Sequence, residues 1–111
     1  MRTITLFASI LFMVVFSLSA MAGDNRLIDA IQHTQRAVTA VDGMDVTKHA
    51  EVAKNHANAA KTDKHNKYDN KQMDDGIKYL DDAIKEGMDG NAEAARKAAN
   101  DALKHFTQAT N

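Results

Sequence analysis

The sequence predicts an all-α protein: a small antiparallel four-helix bundle made of two helical hairpins, preceded by a cleavable signal-peptide helix. Three observations lead there. Apolar and alanine residues recur at helical spacing in four successive stretches. No proline interrupts any of them. Gly-Met-Asp turns split the stretches into two pairs, Gly43-Met44-Asp45 and Gly87-Met88-Asp89. Each helix runs to roughly 16 residues, about 24 Å. Helices this short are marginal in isolation, so packing in a bundle must hold them.

Residues 1–22 read as a signal peptide. Arg2 supplies the positive start, Thr3 to Leu18 carries no charge, and Ala20-Met21-Ala22 has the small-x-small form of a cleavage site. The apolar run is short for a spanning helix, which needs about 20 residues. The expectation is therefore an exported chain, residues 23–111, forming one domain with no membrane anchor after cleavage.

Asp24 or Asn25 is placed to cap the first helix, which the pattern carries to about Val41. Leu27, Ile31, Thr34, Val38 and Val41 form its stripe, with Ala30 and Ala37 beside it. Gly43 is placed to end a helix, and Asp45 to cap the next. The second helix, over Asp45 to Lys61, carries an alanine stripe of Ala50, Ala53, Ala57 and Ala60. Thr62 to Asp69 is polar and reads as the central loop. Asn70 starts the third helix, with Met73, Ile77, Leu80 and Ile84 as its stripe and Ala83 alongside. Gly87 to Gly90 forms the third break, and Met44 and Met88 are expected to staple the hairpins. Asn91 caps the last helix, whose buried face is Ala95, Ala99, Ala102, Leu103 and Phe106.

Composition removes several function classes. Loss of Arg2 with the leader takes the formal net charge from −1 to −2, which opposes nucleic-acid binding by bulk electrostatics. The absence of cysteine excludes disulfides, thiolate metal sites, covalently attached haem and a Cys nucleophile. There is no H-E-x-x-H, no G-x-S-x-G and no phosphate-binding glycine loop. Asp74-Asp75 and Asp81-Asp82 read as a solvated acidic face, with Asp74–Lys78 and Asp81–Lys85 pairs one turn apart. Catalysis is not expected.

The histidines carry what chemistry the chain offers. His49 and His56 stand seven residues apart on the second helix, so they share a face within about 20°. They flank the alanine stripe. His33 and His105 occupy similar border positions, where imidazole reaches solvent, and His65 lies in the loop. An ordinary imidazole is mostly neutral at pH 7, the state a metal requires. Carboxylates accompany them at four-residue spacing: Asp29 with His33, Asp45 with His49, Asp101 with His105, and Asp69 after His65. Such neighbours complete a mixed nitrogen and oxygen site or orient the ring. They equally form plain surface pairs worth a few tenths of a kcal/mol. Seven residues span about 10.5 Å along the axis, too far for His49 and His56 to hold one ion alone. Further ligands must come from a facing helix, water or another chain. Met44, Met73 and Met88 are potential soft ligands, with Met73 better explained as core.

The run from His49 to Ala57, HAEVAKNHA, follows a short glycine turn and sits within repeated hairpins. In this it resembles the small metal-binding protein family of bacterial periplasms, over about Ile28 to Ala109. The resemblance implies a Cys-free helical bundle that binds divalent transition metal ions, copper foremost with nickel or zinc also bound, for storage, sequestration or tolerance. It implies His49 and His56 most directly, His33 and His105 next. Members of that family are richer in histidine. By a weak internal duplication Tyr79 matches His33, and Ala95 and Ala102 match His49 and His56, so the second half is expected to hold less metal.

Two other readings use the same residues. A ligand-free periplasmic helical stress or interaction module accounts for the alanine stripes equally well, with its protein partner unknown. A haem bundle would need His33 and His105 as axial ligands, since residues 23–41 contain no Met, and haem is not expected.

Overall fold

The computed structural model describes residues 26–64 and 66–110, and within them the chain forms four helices and no strand. The expected signal peptide, the Asp24 or Asn25 cap and His65 lie outside the described residues. The helices are α1 (Arg26–Val38), α2 (Gly43–Thr62), α3 (Asn70–Met88) and α4 (Ala92–Ala109). Each packs on the next in sequence, and α4 returns to pack on α1. This is the antiparallel square expected of two hairpins joined by short turns. The alanine-lined α2 and α4 also meet across the diagonal. No described helix is long and apolar enough to cross a membrane.

The packing seam is close to a heptad pattern. Val46, Ala50, Ala53, Ala57 and Ala60 are buried on α2, and Met73, Gly76, Leu80, Ala83 and Gly87 on α3. Alternating steps of three and four keep one face on the bundle axis. The α4 face expected from sequence, Ala95, Ala99, Ala102, Leu103 and Phe106, is buried throughout. Ile77 and Ile84 pack only partly buried against the core.

The turns depart from expectation more than the helices do. α1 stops at Val38, and Val41 is 81% exposed rather than part of the stripe. The α2 cap is Asp42, whose carboxylate accepts from the Asp45 amide at 2.8 Å. A carboxylate three residues back reaches the third amide of a helix, the ordinary capping geometry. Asp45 thus sits inside the first turn, where its charge suits the helix dipole. Gly43 opens α2 instead of ending α1. A Cβ there would lie 2.6 Å from the Gly87 carbonyl oxygen, and one on Gly87 would lie 2.5 Å from that of Gly43. The two glycines therefore permit backbone contact between α2 and α3. Gly90, at φ 85°, turns α3 into α4.

Asp69 caps α3, accepting from the amides of Lys71 and Gln72. Asn91 precedes α4 without a side-chain cap bond, and its Nδ2 donates to Glu86 Oε1 at 2.9 Å. Met44 and Met88 are 70% and 67% exposed and staple nothing. The expected Asp74–Lys78 and Asp81–Lys85 pairs give way to links between α2 and α3: Lys61 pairs with Asp74, and Lys54 with Asp81 at 2.6 Å. Arg96 of α4 donates to the Ala40 carbonyl at 3.1 Å, tying the end of the first hairpin to the second.

Candidate metal centre

Three of the expected ligands come together on the outer face of the first hairpin. His33 projects from α1, and its ring stacks on His56 of α2 with centroids 5.4 Å apart and planes 12° apart. It also stacks on His49, at 6.3 Å and 27°. The two-turn gap between His49 and His56 is thus bridged from the facing helix. All three rings are half-buried. Asp45 brings a carboxylate oxygen to 4.0 Å from His49 Nε2, and that carboxylate is free to do so because Asp42 supplies the cap.

His33 is the hub, and its environment is less open than a border position implies. Its Nδ1 is buried without a hydrogen-bond partner. Its pKa lies below the ordinary histidine value, first through burial, then through the charge of Arg36 and the neighbouring His56 and His49, with Asp29 opposing. Both burial and like charge disfavour the imidazolium. His33 is therefore held neutral, with an unused nitrogen.

The separations suit a shared ion, while the orientations do not. An imidazole bound at about 2.0–2.1 Å puts its ring centre about 3.2 Å from the metal, so two rings on one ion have centres about 4.5–6.4 Å apart. Both observed separations fall in that interval. Imidazole lone pairs lie in the ring plane, however, and nearly parallel stacked rings do not aim them at one point. Accordingly, no group of three or more His, Cys, Asp or Glu among the described residues is disposed to hold a metal ion as it stands. Coordination requires the rings to turn while their Cα positions stay in place.

The other expected ligands stand apart. His105 stacks on Tyr79 at 5.3 Å and 10°. Its Nδ1 lies 2.7 Å from Gln72 Oε1. With the amide oxygen accepting, Nδ1 carries the proton and Nε2 keeps its lone pair. Gln72 of α3, not Asp101, is the group bonded to His105. Sequence reading missed it because the pair is 33 residues apart on different helices. Asp101 is half-buried on α4, and Asp29 acts on His33 through its charge.

Burial also corrects the register of the duplication. Leu27, Ala30, Thr34 and Ala37 match Met73, Gly76, Leu80 and Ala83 at one constant shift, which places Tyr79 at the His33 position. Val46, Ala50, Ala53, Ala57 and Ala60 match Ala95, Ala99, Ala102, Phe106 and Ala109 at another, larger shift. His56 therefore corresponds to His105, and His49 to Ala98. Ala95 and Ala102, the counterparts expected from sequence, are fully buried core positions. The His33–His56 and Tyr79–His105 stacks are one contact made twice.

A family model described as small metal-binding protein matches residues 1–109. No curated protein and no solved structure matches. With almost the whole chain covered, the protein belongs to the small metal-binding protein family.

Proposed function

From that membership we propose that the chain sequesters divalent transition metal ions in the bacterial periplasm, copper foremost, without catalysing a reaction. His33, His49 and His56 are the principal ligands, and Asp45 orients or supplements His49. The observation that carries this reading is the placement of His33 against both histidines of α2, with a buried nitrogen that bonds to nothing. Neutral imidazole with nearby carboxylate suits Cu(II), which tops the divalent affinity order, and nickel and zinc take the same donors less tightly. A surface cluster on a folded hairpin exchanges ions with solvent, as storage or tolerance demands. The signal-peptide pattern of residues 1–22 supports export.

Calorimetric titration of the exported protein with Cu(II) at pH 7 tests this. Saturable binding is expected, with nitrogen ligation seen by electron paramagnetic resonance. Joint replacement of His33, His49 and His56 by Ala lowers the affinity at least about tenfold, or 1.4 kcal/mol, while the far-ultraviolet circular dichroism persists. Undiminished affinity in that variant would overturn the assignment.

A further inference from the structure

The bundle leaves three large apolar side chains exposed among the described residues: Val41, Met44 and Met88. All three lie at the same end. Met73, by contrast, is fully buried, so packing accounts for one described methionine and not for the other two. Met44 and Met88 each directly follow a glycine of the α2–α3 contact. A Cβ on Gly43 would stand 3.3 Å from the Gly87 Cα, and each methionine Cα is a further ~3.8 Å along its chain. The two methionine Cα atoms are therefore no more than about 12 Å apart. Unbranched side chains with three rotatable bonds close a gap of that size around one ion. The glycine contact fixes the two backbones, so less ordering is needed than for two methionines on mobile loops.

The chemistry differs from that of the histidines. A thioether is soft, neutral and takes no proton in water, and it selects soft ions over hard divalent ones. Each methionine is followed by an aspartate, Asp45 and Asp89, and Asp42 lies beside Met44. Those carboxylates raise the local concentration of any cation. We propose that Met44 and Met88 form a second metal site, separate from the imidazole cluster, for a soft monovalent cation of the Cu(I) or Ag(I) type, held between the two thioether sulfurs. The site needs none of His33, His49 or His56 and stands independently of the reading given to them.

Ag(I), which does not change oxidation state in the titration, is the probe. The exported protein with 13C-labelled methionine methyls is titrated and followed by NMR. The Met44 and Met88 methyls are expected to shift together and saturate at one equivalent, with the Met73 methyl unmoved. The same response is expected in the variant lacking His33, His49 and His56. Met44→Leu or Met88→Leu alone weakens the response of the remaining methyl at least about tenfold. Leucine suits an exposed helical position, so these variants fold. Independent shifts, with each methyl unaffected by loss of the other, would overturn the shared site. So would loss of both shifts in the histidine variant, which would assign Ag(I) to the imidazoles.

Discussion

The two hairpins share a register and use it differently. Where the first sets Ala30 against the Ala57 layer, the second has Gly76 and Phe106. A Cβ on Gly76 would stand 2.5 Å from the Phe106 ring, so the glycine is the space the ring fills. Where the first has His33 stacked on His56, the second has Tyr79 stacked on His105. The first alone adds His49, with Ala98 in the corresponding place. The large fully buried apolar side chains are shared between the hairpins, Leu27, Ile31 and Val46 in the first and Met73, Leu80 and Phe106 in the second, while the cluster of three histidines belongs to the first alone. One bundle can thus vary the side chains on its outer face without disturbing the seam, because the stacked positions lie beside the heptad pattern and not in it.

The largest effect that would break this comparison is on stability. Phe106→Ala removes the largest fully buried side chain and should cost about 3–5 kcal/mol in urea unfolding. The outer-face variant Tyr79→Phe should stay within ±0.5 kcal/mol. Similar losses from the two would mean that the outer face carries as much of the stability as the seam. Gly76→Ala should cost about 1–3 kcal/mol, since the added methyl drives the ring from its place. A tolerated alanine there would show that Phe106 has room to move.

A gain of function sharpens the same comparison. Tyr79→His combined with Ala98→His should give the second hairpin the donor set of the first. Cu(II) titration should then show an added equivalent relative to the parent. Unchanged stoichiometry would mean that His33 matters for something other than its placement. Smaller effects separate Asp42 from Asp45. Asp42→Ala should cost about 1 kcal/mol through the lost cap. Asp45→Asn should change stability by only a few tenths of a kcal/mol and lower Cu(II) affinity instead.

A further effect concerns pH. His33 has a folded pKa below its unfolded value, so below about pH 6.5 the unfolded chain binds more protons. Stability should therefore fall as pH drops from that value toward the lowered folded pKa. One site changes it by at most about 1.4 kcal/mol per pH unit. The slope should flatten in His33→Ala. An unchanged slope would assign the acid sensitivity to other groups.

Much of the fold was legible in the residues themselves. Stripes such as Ala50, Ala53, Ala57 and Ala60 are local patterns, and a helix turns them into a face whatever else surrounds it. The turns were less legible. Asp42 and Asp45 are both good caps, and the choice depends on where α2 begins. That start is set by Gly43 meeting Gly87, a contact between distant residues. The same reason hid the correct counterpart of His56. Between the matching buried positions Ala83 and Ala95 lie three more residues than between Ala37 and Val46, taken up by the longer α3, so a match carried on from Ala30-Ile31 and Gly76-Ile77 slips against the buried faces of α2 and α4.

Sequence alone determined that the described residues form four helices, that the chain has no thiol or disulfide chemistry, and that its helical histidines border small-residue stripes. Helical period and residue type suffice for that, because both act within a few residues. Only the tertiary structure decided that His33 joins His49 and His56 while His105 is held with Gln72 and Tyr79. Which border residues meet depends on the axial stagger of packed helices. Stagger is set by how Gly43, Gly76 and Gly87 let their neighbours approach, not by any local propensity.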